Sequence, residues 1–354
     1  MPHTESAWVY YVRVLAFLLH FGSAIFISVV AVKCGGSFIY NTFAEIMPAV
    51  PAGYPVLVDA PCQGSCFFNT SQTYDAAQIG MEWNVFALLA AFEWVSASFA
   101  LGHLRPGPNP GLYVWIICAW NLAGALLLLP WAAPMSTLQA GVTVLSLLVA
   151  TVVQVNPVKG AFEPGRVVMH YLEYCTSAAL LLVSVSILFL PYGPSWTYVV
   201  GFVSLVLCNL CGVAAHMNLV DPGEPSHLPE VYDFNWVRVR NHFKLFLAYA
   251  WTTLLMGVLT IVYTSRTWIG ESSVPWWVRA ILYTLLITYC LFGVWATVCY
   301  VVADLMSPAA GQWWVSECLG TGLIVLSLSA KLPVVYSVFW GLVATPDGPK
   351  LCVL

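Results

Sequence analysis

The chain has 354 residues, of which 60% are hydrophobic and only 8% are Asp, Glu, Lys or Arg. A soluble globular domain has about 25% charged residues, so this composition excludes a water-soluble enzyme of ordinary type and a disordered chain. With 12 basic and 16 acidic residues and a net charge of −4, the chain also lacks the basic excess of a nucleic-acid-binding protein.

Nine apolar segments of the chain are long enough to cross a bilayer, whose hydrocarbon core is about 30 Å thick. Each is predicted to be a helix, because backbone polar groups in lipid must be satisfied within the segment itself. The segments run from 8 to 32, 81 to 102, 111 to 130, 135 to 155, 165 to 190, 196 to 217, 242 to 264, 275 to 303 and 312 to 344. The sequence therefore predicts an all-α, polytopic membrane protein with a single transmembrane domain over 1–354.

The distribution of Lys and Arg over the loops predicts the orientation, since these residues concentrate on the cytoplasmic side of a membrane. With the N-terminus inside, seven basic residues flank the inner side and four flank the outer side. The inner ones are Arg13, Arg105, Lys159, Arg166, Arg238, Arg240 and Lys244, and the outer ones are Lys33, Arg266, Arg279 and Lys350. We therefore expect a cytoplasmic N-terminus and, with an odd number of spans, an extracellular C-terminus.

The segment 33–80 is predicted to be a long extracellular loop. It contains Asn69-Thr70-Ser71, an acceptor sequence for N-glycosylation that is used only on the extracytoplasmic side. Four cysteines would share this oxidising side, so one or two disulfides are expected, with the pairing left open. These cysteines are Cys34, Cys62, Cys66 and Cys352.

Familiar metal, redox and enzyme motifs do not account for the polar residues of the spans. Cys208 and Cys211 form a Cys-x-x-Cys pair, but no second Cys or His pair accompanies them, so we interpret them as packing residues and expect no metal site. We find no Gly-x-Ser-x-Gly, His-Glu-x-x-His or phosphate-binding glycine loop, and we expect no enzymatic activity.

Ionisable side chains inside the spans are few, and each is a functional hypothesis because a charge at bilayer depth costs about 2.5–3.5 kcal/mol. Glu93, Glu173 and Lys331 lie near the middle of the second, fifth and ninth spans, and His20 lies deep in the first. Three interpretations remain open: a structural salt bridge, a proton or ion pathway, and a lysine that binds an aldehyde cofactor as a Schiff base. The last also needs a hydroxyl near the nitrogen, and Ser327 precedes Lys331 by one helical turn.

Two of these segments resemble the heliorhodopsins, a family of retinal-binding membrane proteins. The stretch that ends at Lys331 (IVLSLSAK) is similar to the last helix of that family, and the stretch around Glu173 (YLEYCTSA) is similar to its third helix. His20 in the first span, the long loop after it and the inward N-terminus also match. The resemblance implies that all-trans retinal is covalently bound to Lys331 as a protonated Schiff base, with Glu173 as counter-ion.

The resemblance also implies positions for other residues of the site. Ser327 would hydrogen-bond near the Schiff-base nitrogen. Asn209, Gly212, Tyr289 and, with weaker support, Trp251 would lie close to the chromophore.

The chain departs from the family in two respects. The family has seven helices, whereas this chain has two more spans, which form an inserted helical hairpin over 106–160. A pair of spans preserves the direction of every later helix, so we expect a seven-helix core plus two helices. The second departure is Glu93, which occupies the position that best matches a histidine of the family's second helix.

A light-sensing photoreceptor, in which photoisomerisation drives a conformational signal, is the predicted function. Light-activated proton transport through Glu93 and His20 is the first alternative, and a retinal-free membrane carrier or structural protein is the second. The expected partners are the lipid bilayer and a second copy of the chain, since a homodimer is the family expectation. The predicted cytoplasmic loop 218–241 is either a contact for a signalling partner or a solvated connector.

Overall fold

The computed structural model describes most of the chain, and the part that it describes is almost entirely helical. The described residues are 7–34, 39–43, 80–104, 110–128, 137–155, 165–189, 195–220, 236–269, 276–306 and 308–341. The predicted disulfides and the predicted glycosylation site lie outside the described residues, since these include neither Cys62, Cys66, Asn69 and Cys352 nor the side chain of Cys34.

The helices follow the apolar segments of the sequence. They are α1 (Ala7–Cys34), α2 (Val85–His103), α3 (Pro110–Leu127), α4 (Thr137–Val155), α5 (Gly165–Phe189), α6 (Ser195–Val220), α7 (Trp236–Ile269), α8 (Trp276–Leu305), α9 (Pro308–Trp314) and α10 (Gly320–Phe339). A π-helix, Val315–Leu319, joins α9 to α10, so a continuous helical segment covers the ninth predicted span.

Six of the described helices are long and apolar enough to cross a membrane, which indicates an integral membrane protein. These are α1, α2, α6, α7, α8 and α10. The other three predicted spans coincide with α3, α4 and α5, whose apolar stretches are shorter over the described residues: Val114–Leu127, Gln139–Gln154 and Val167–Leu182.

Side-chain contacts give the relative directions of two pairs of helices. Near their starts, Val12 and Ala16 of α1 pack with Ile324 of α10, and toward their ends Phe26 contacts Phe339 with ring centroids 5.0 Å apart, so α1 and α10 are parallel. His103 at the end of α2 stacks on His170 near the start of α5. We call the end of the bundle where α1 begins the Arg13 end and the opposite end the Lys33 end.

Two short strands precede α2 and correct the predicted loop boundary. β1 (Ile39–Phe43) pairs antiparallel with β2 (Gly80–Asn84), with Ile39 opposite Asn84. The second predicted span therefore begins as a strand, and its helix starts at Val85 because the Asn84 side chain accepts a hydrogen bond from the backbone N–H of Ala87 and caps the helix. The prediction of a helix from residue 81 was therefore wrong for 81–84, whereas the bundle itself is helical as predicted. The residues of β1 include the β-branched and aromatic side chains typical of strands.

The predicted loop 218–241 is also shorter in the structure. Helix α6 continues to Val220 and α7 begins at Trp236, six residues before the predicted start of its span. The predicted span omits the first turn and a half of α7 because Arg238 and Arg240 lower the hydropathy there, although arginine is a good helix former.

Helices α3 and α4 pack against α2 and are fixed to it by polar contacts. Gln139 of α4 donates to the backbone carbonyl of Asn84 and accepts from its N–H, both at 2.7 Å. Gln154 donates to Ser98 Oγ at 2.8 Å, and within the hairpin Asn121 donates to Thr151 Oγ1 at 2.8 Å. Uncharged polar pairs of this kind specify how helices dock where lipid and side chains are equally apolar.

Candidate functional site

The amino group of Lys331 lies in the middle of the bundle, and Lys331 is only 3% exposed. Its Nζ donates to Glu173 Oε1 at 2.5 Å, to Ser177 Oγ at 2.8 Å and to Ser96 Oγ at 3.0 Å. An ammonium has three N–H donors, so each donor has an acceptor, and one of the acceptors is a carboxylate. The arrangement holds a positively charged nitrogen in the protein interior.

Aromatic rings complete the surroundings of this nitrogen. Nζ lies 5.3 Å from the ring centre of Phe92 and 5.2 Å from that of Tyr174, distances at which a ring face stabilises a cation. The Tyr174 hydroxyl donates to the backbone carbonyl of Leu323 at 2.9 Å, which ties α5 to α10 beside the lysine.

Helical spacing explains how these groups converge. Glu173 and Ser177 are four residues apart in α5 and therefore lie on the same face of that helix. The side chain of a helical residue tilts toward the N-terminus, so the long chain of Lys331 extends back toward Ser327 rather than toward Pro333. Ser96 reaches the nitrogen from α2, on the other side of the cluster.

An apolar cavity begins at Lys331 and extends between α5, α6, α7, α8 and α10. It contains about 820 Å³ of non-atom space, part of which is open to the outside. Six of the nine sequence-predicted site residues line it: Lys331, Ser327, Asn209, Gly212, Tyr289 and Trp251. Glu173 does not line the cavity but lies at its end, bonded to Lys331.

Close packing fixes two of the aromatic walls of the cavity. A Cβ on Gly212 would lie 2.6 Å from Tyr171, so glycine is needed for the ring to rest on α6, and the Tyr171 hydroxyl pairs with that of Tyr300 at 3.0 Å. The indole N–H of Trp251 donates to Thr297 Oγ1 at 2.7 Å, and the ring lies on Gly293. Both walls are therefore held in place without any contribution from a ligand.

A second, polar cavity lies on the other side of the Lys331–Glu173 pair, toward the Arg13 end. It contains about 300 Å³ of space, part of it open, and is lined by side chains of α1, α2, α5 and α10. Its polar lining residues are Arg13, His20, Ser96, His103, His170, Glu173 and Ser327. The rings of His103 and His170 stack with centroids 3.8 Å apart, and His170 Nδ1 lies 3.8 Å from Glu173 Oε2.

His103, His170 and Glu173 also place three potential metal-ligand atoms within 4.8 Å of one another. Two basic groups oppose a cation there, since Arg13 lines the same cavity and Lys331 is bonded to Glu173. These positive charges disfavour a metal ion at this cluster.

The two remaining site residues form a separate pair. His20 of α1 and Glu93 of α2 contact each other at 2.7 Å, from Nδ1 to Oε2, and they are 3% and 0% exposed. The structure thus pairs Lys331 with Glu173 and pairs Glu93 with His20.

Several polar residues of the site, His103 among them, were missed by the sequence reasoning. Arg13 was counted among the residues that flank the membrane, but it is 2% exposed and lines the polar cavity. Spacing within the helices could have indicated two others, since His170 lies three residues before Glu173 and Ser177 four residues after it. The approach of Ser96 depends on how α2 packs against α5 and α10, which no local pattern encodes.

Comparison with protein-family models and with curated proteins finds no match for the chain. The functional interpretation therefore depends on the geometry of the two cavities and on the motifs described above.

Proposed function

We propose that this protein is a light-sensing membrane photoreceptor that resembles the heliorhodopsins and binds retinal at Lys331. The observation that carries the proposal is a buried lysine that is bonded through its nitrogen to a carboxylate and lines an apolar cavity. A structural salt bridge would account for the ion pair but not for the cavity that begins at its nitrogen.

The residues present fit a chromophore of this kind. When bound, retinal would join Lys331 Nζ as a protonated Schiff base, with loss of water, and would supply visible-light absorption and isomerisation. Glu173 would neutralise the positive nitrogen, and the hydroxyls of Ser96 and Ser177 would offer further acceptors. Tyr171, Trp251 and the other apolar lining residues would exclude water from the polyene-binding part of the cavity.

The helices that line the two cavities support a seven-helix core with two added helices. The apolar cavity is lined by α5, α6, α7, α8 and α10, and the polar one by α1, α2, α5 and α10. Together these are seven helices, and neither α3 nor α4 contributes a residue to either cavity. The inserted hairpin would therefore lie outside the photoreceptor core.

An absorption spectrum of the protein expressed with all-trans retinal tests the proposal. We expect a visible band that is absent in Lys331→Ala. The matched control for charge is Lys331→Arg, which retains a cation beside Glu173 but has no amine that condenses with an aldehyde at neutral pH. This variant should fold and remain colourless, whereas Lys244→Ala, at an exposed position on α7, should retain the band.

Absence of a visible band in the parent protein, or a band that survives Lys331→Ala, would refute retinal binding. In that case the retinal-free carrier or structural protein becomes the better interpretation. It predicts that Lys331→Gln is tolerated without any spectral consequence.

Light-activated proton transport is a second candidate, and the His20–Glu93 pair favours it. Both His20 and the nitrogen-bound Ser96 line the polar cavity, so a chain of polar groups leads from Lys331 toward the pair. Photocurrents under voltage clamp distinguish the two functions. Transport predicts currents that Glu93→Gln diminishes, and the photoreceptor predicts none at any holding potential.

A further inference from the structure

Among the membrane-span candidates of the described residues, α2 is the most enclosed, and the inserted hairpin contributes to its burial. Of its most apolar 18-residue window, 89% is buried, compared with 22–56% for the windows of the other membrane-span candidates. Helices α1 and α5 cover two of its faces, and α3 and α4 cover the remaining side, which would otherwise face lipid.

The hairpin covers α2 next to the His20–Glu93 pair. Trp120 of α3 packs against Trp94, the residue after Glu93, with ring centroids 4.4 Å apart and the ring planes tilted by 47°. Its indole N–H donates to the Trp94 carbonyl at 3.3 Å. The same ring contacts Phe17 and Phe21, which flank His20 in α1, at 6.0 and 5.0 Å. Trp120 thus bridges α1 and α2 directly beside the pair.

A glycine in α3 allows this helix to approach Trp94 of α2 closely. A Cβ at position 124 would lie 2.9 Å from the Trp94 ring, so Gly124 allows α3 to rest on that ring. The opposite side of α3 is apolar and exposed, with Trp115 at 75% exposure. One face of α3 therefore packs on the aromatic cluster, and the other is suited to lipid.

His20 and Glu93 need such cover. At 2.7 Å, a proton lies between the imidazole nitrogen and the carboxylate oxygen, so the pair is a proton-binding site whichever partner carries the charge. The second oxygen, Glu93 Oε1, has no hydrogen-bond partner within the described residues. Contact with hydrocarbon would penalise this polar pair strongly, because lipid offers neither hydrogen bonds nor a high dielectric constant.

We propose that the α3–α4 hairpin is a shield that separates a second proton-binding site, His20–Glu93, from lipid, and that Trp120 is the residue that closes it. This chain departs from the seven-helix pattern in two ways, by the inserted hairpin and by the carboxylate at position 93. The proposal relates them, because the hairpin covers the site that contains this carboxylate. The His20 side of the shielded site lines the polar cavity that faces Lys331.

A double-mutant cycle on the retinal-free protein tests this proposal separately from chromophore binding. Equilibrium unfolding in mixed detergent micelles is measured for Trp120→Ala in the parent chain and in the background His20→Phe/Glu93→Leu. Trp120→Ala removes the same aromatic packing in both backgrounds, so this contribution to the change in unfolding free energy cancels when the two effects are compared. We expect Trp120→Ala to shift the unfolding equilibrium about tenfold more when the polar pair is present.

Trp115→Ala, which removes the same side chain from the lipid-facing side of α3, is the matched control and should show no dependence on the background. If Trp120→Ala does not fold in the parent chain, the His20→Phe/Glu93→Leu background should restore its folding. Equal effects of Trp120→Ala in both backgrounds, or a failure of the background to restore folding, would overturn the proposal, whatever the absorption spectrum shows.

Discussion

Lys331 and Glu173 illustrate at the scale of the residue why a buried ion pair points to function rather than to stability. Removing two charges from water costs several kcal/mol per ion, and the attraction between them offsets this only when every donor is satisfied. Here three acceptors meet the three donors of the ammonium. An apolar pair of similar volume would pack at least as well, so stability alone does not explain the charges.

Replacing Glu173 with Gln should therefore affect both stability and colour. In the retinal-free protein, the buried ammonium loses its neutralising charge, and we expect a loss of about 3–5 kcal/mol in the free energy of unfolding. With retinal bound, we expect the absorption maximum to move to longer wavelength, because a positive nitrogen without its carboxylate is less stabilised in the ground state. Thermal unfolding and visible spectroscopy measure the two effects.

Glu317→Gln provides the control, since Glu317 lies in the π-helix and lines neither cavity. It should change neither quantity appreciably. The double variant Lys331→Met/Glu173→Leu should regain most of the stability lost in Glu173→Gln, because it leaves no buried charge. A double variant that remains as unstable as Glu173→Gln would contradict this account of the ion pair.

At the scale of the element, glycines decide how closely the helices around the apolar cavity approach each other. Gly212 accepts the Tyr171 ring against α6, and Gly293 accepts the Trp251 ring against α8. In each case a methyl group would overlap an aromatic side chain that is also fixed by a hydrogen bond. The width of the cavity thus depends on two positions that carry no side chain.

Gly212→Ala should consequently destabilise the protein despite the better helix propensity of alanine. The added Cβ would displace Tyr171 from its bond with Tyr300, and overpacking of this kind costs about 1–3 kcal/mol. Gly141→Ala, at an exposed position of α4 with no atom within 4 Å of the added Cβ, is the control and should be neutral or stabilising by up to about 1 kcal/mol. If the two variants unfold at the same temperature, the argument that Gly212 is needed for close packing against Tyr171 is contradicted.

At the scale of the whole molecule, the titratable side chains are distributed unevenly along the bundle axis. Every described Asp, Glu and His side chain lies at the level of the central ion pairs or nearer the Arg13 end. These residues are His20, Glu93, His103, His170, Glu173, His216, His242, Asp304 and Glu317. Among the side chains that the structure describes, those in the half toward the Lys33 end offer hydroxyl and amide groups but no carboxylate or imidazole.

The orientation of this asymmetry is a prediction of the loop charges. With seven basic residues against four, or six against four without the buried Arg13, we expect the Arg13 end to face the cytoplasm, so that the polar cavity is closer to the cytoplasmic side. In intact cells, a reporter tag at the N-terminus should be protected from an external probe, and a tag at the C-terminus should be accessible to it. Glycosylation of Asn69 in a eukaryotic membrane would support the same orientation, and an accessible N-terminal tag would reverse it.

The candidate site was partly predictable from the sequence because bilayer physics makes its residues stand out. Lys331, Glu173, Glu93 and His20 are rare ionisable groups within apolar spans, and local motifs assigned two of them to one pair. Ser96 and His103 could not be recognised, because serine and histidine are not anomalous in a helix until another helix places a partner beside them.

The sequence by itself determined that the chain is a bundle of apolar helices, since hydrocarbon requires the backbone to satisfy its own hydrogen bonds. The sequence also identified the few ionisable residues that lie within these apolar helices. Only the tertiary structure decided which carboxylate meets Lys331, where Arg13 lies, and that α3 and α4 cover α2. These outcomes depend on helix rotation and crossing, which are determined by packing among residues far apart in the chain, and such packing leaves no periodic signal in the sequence.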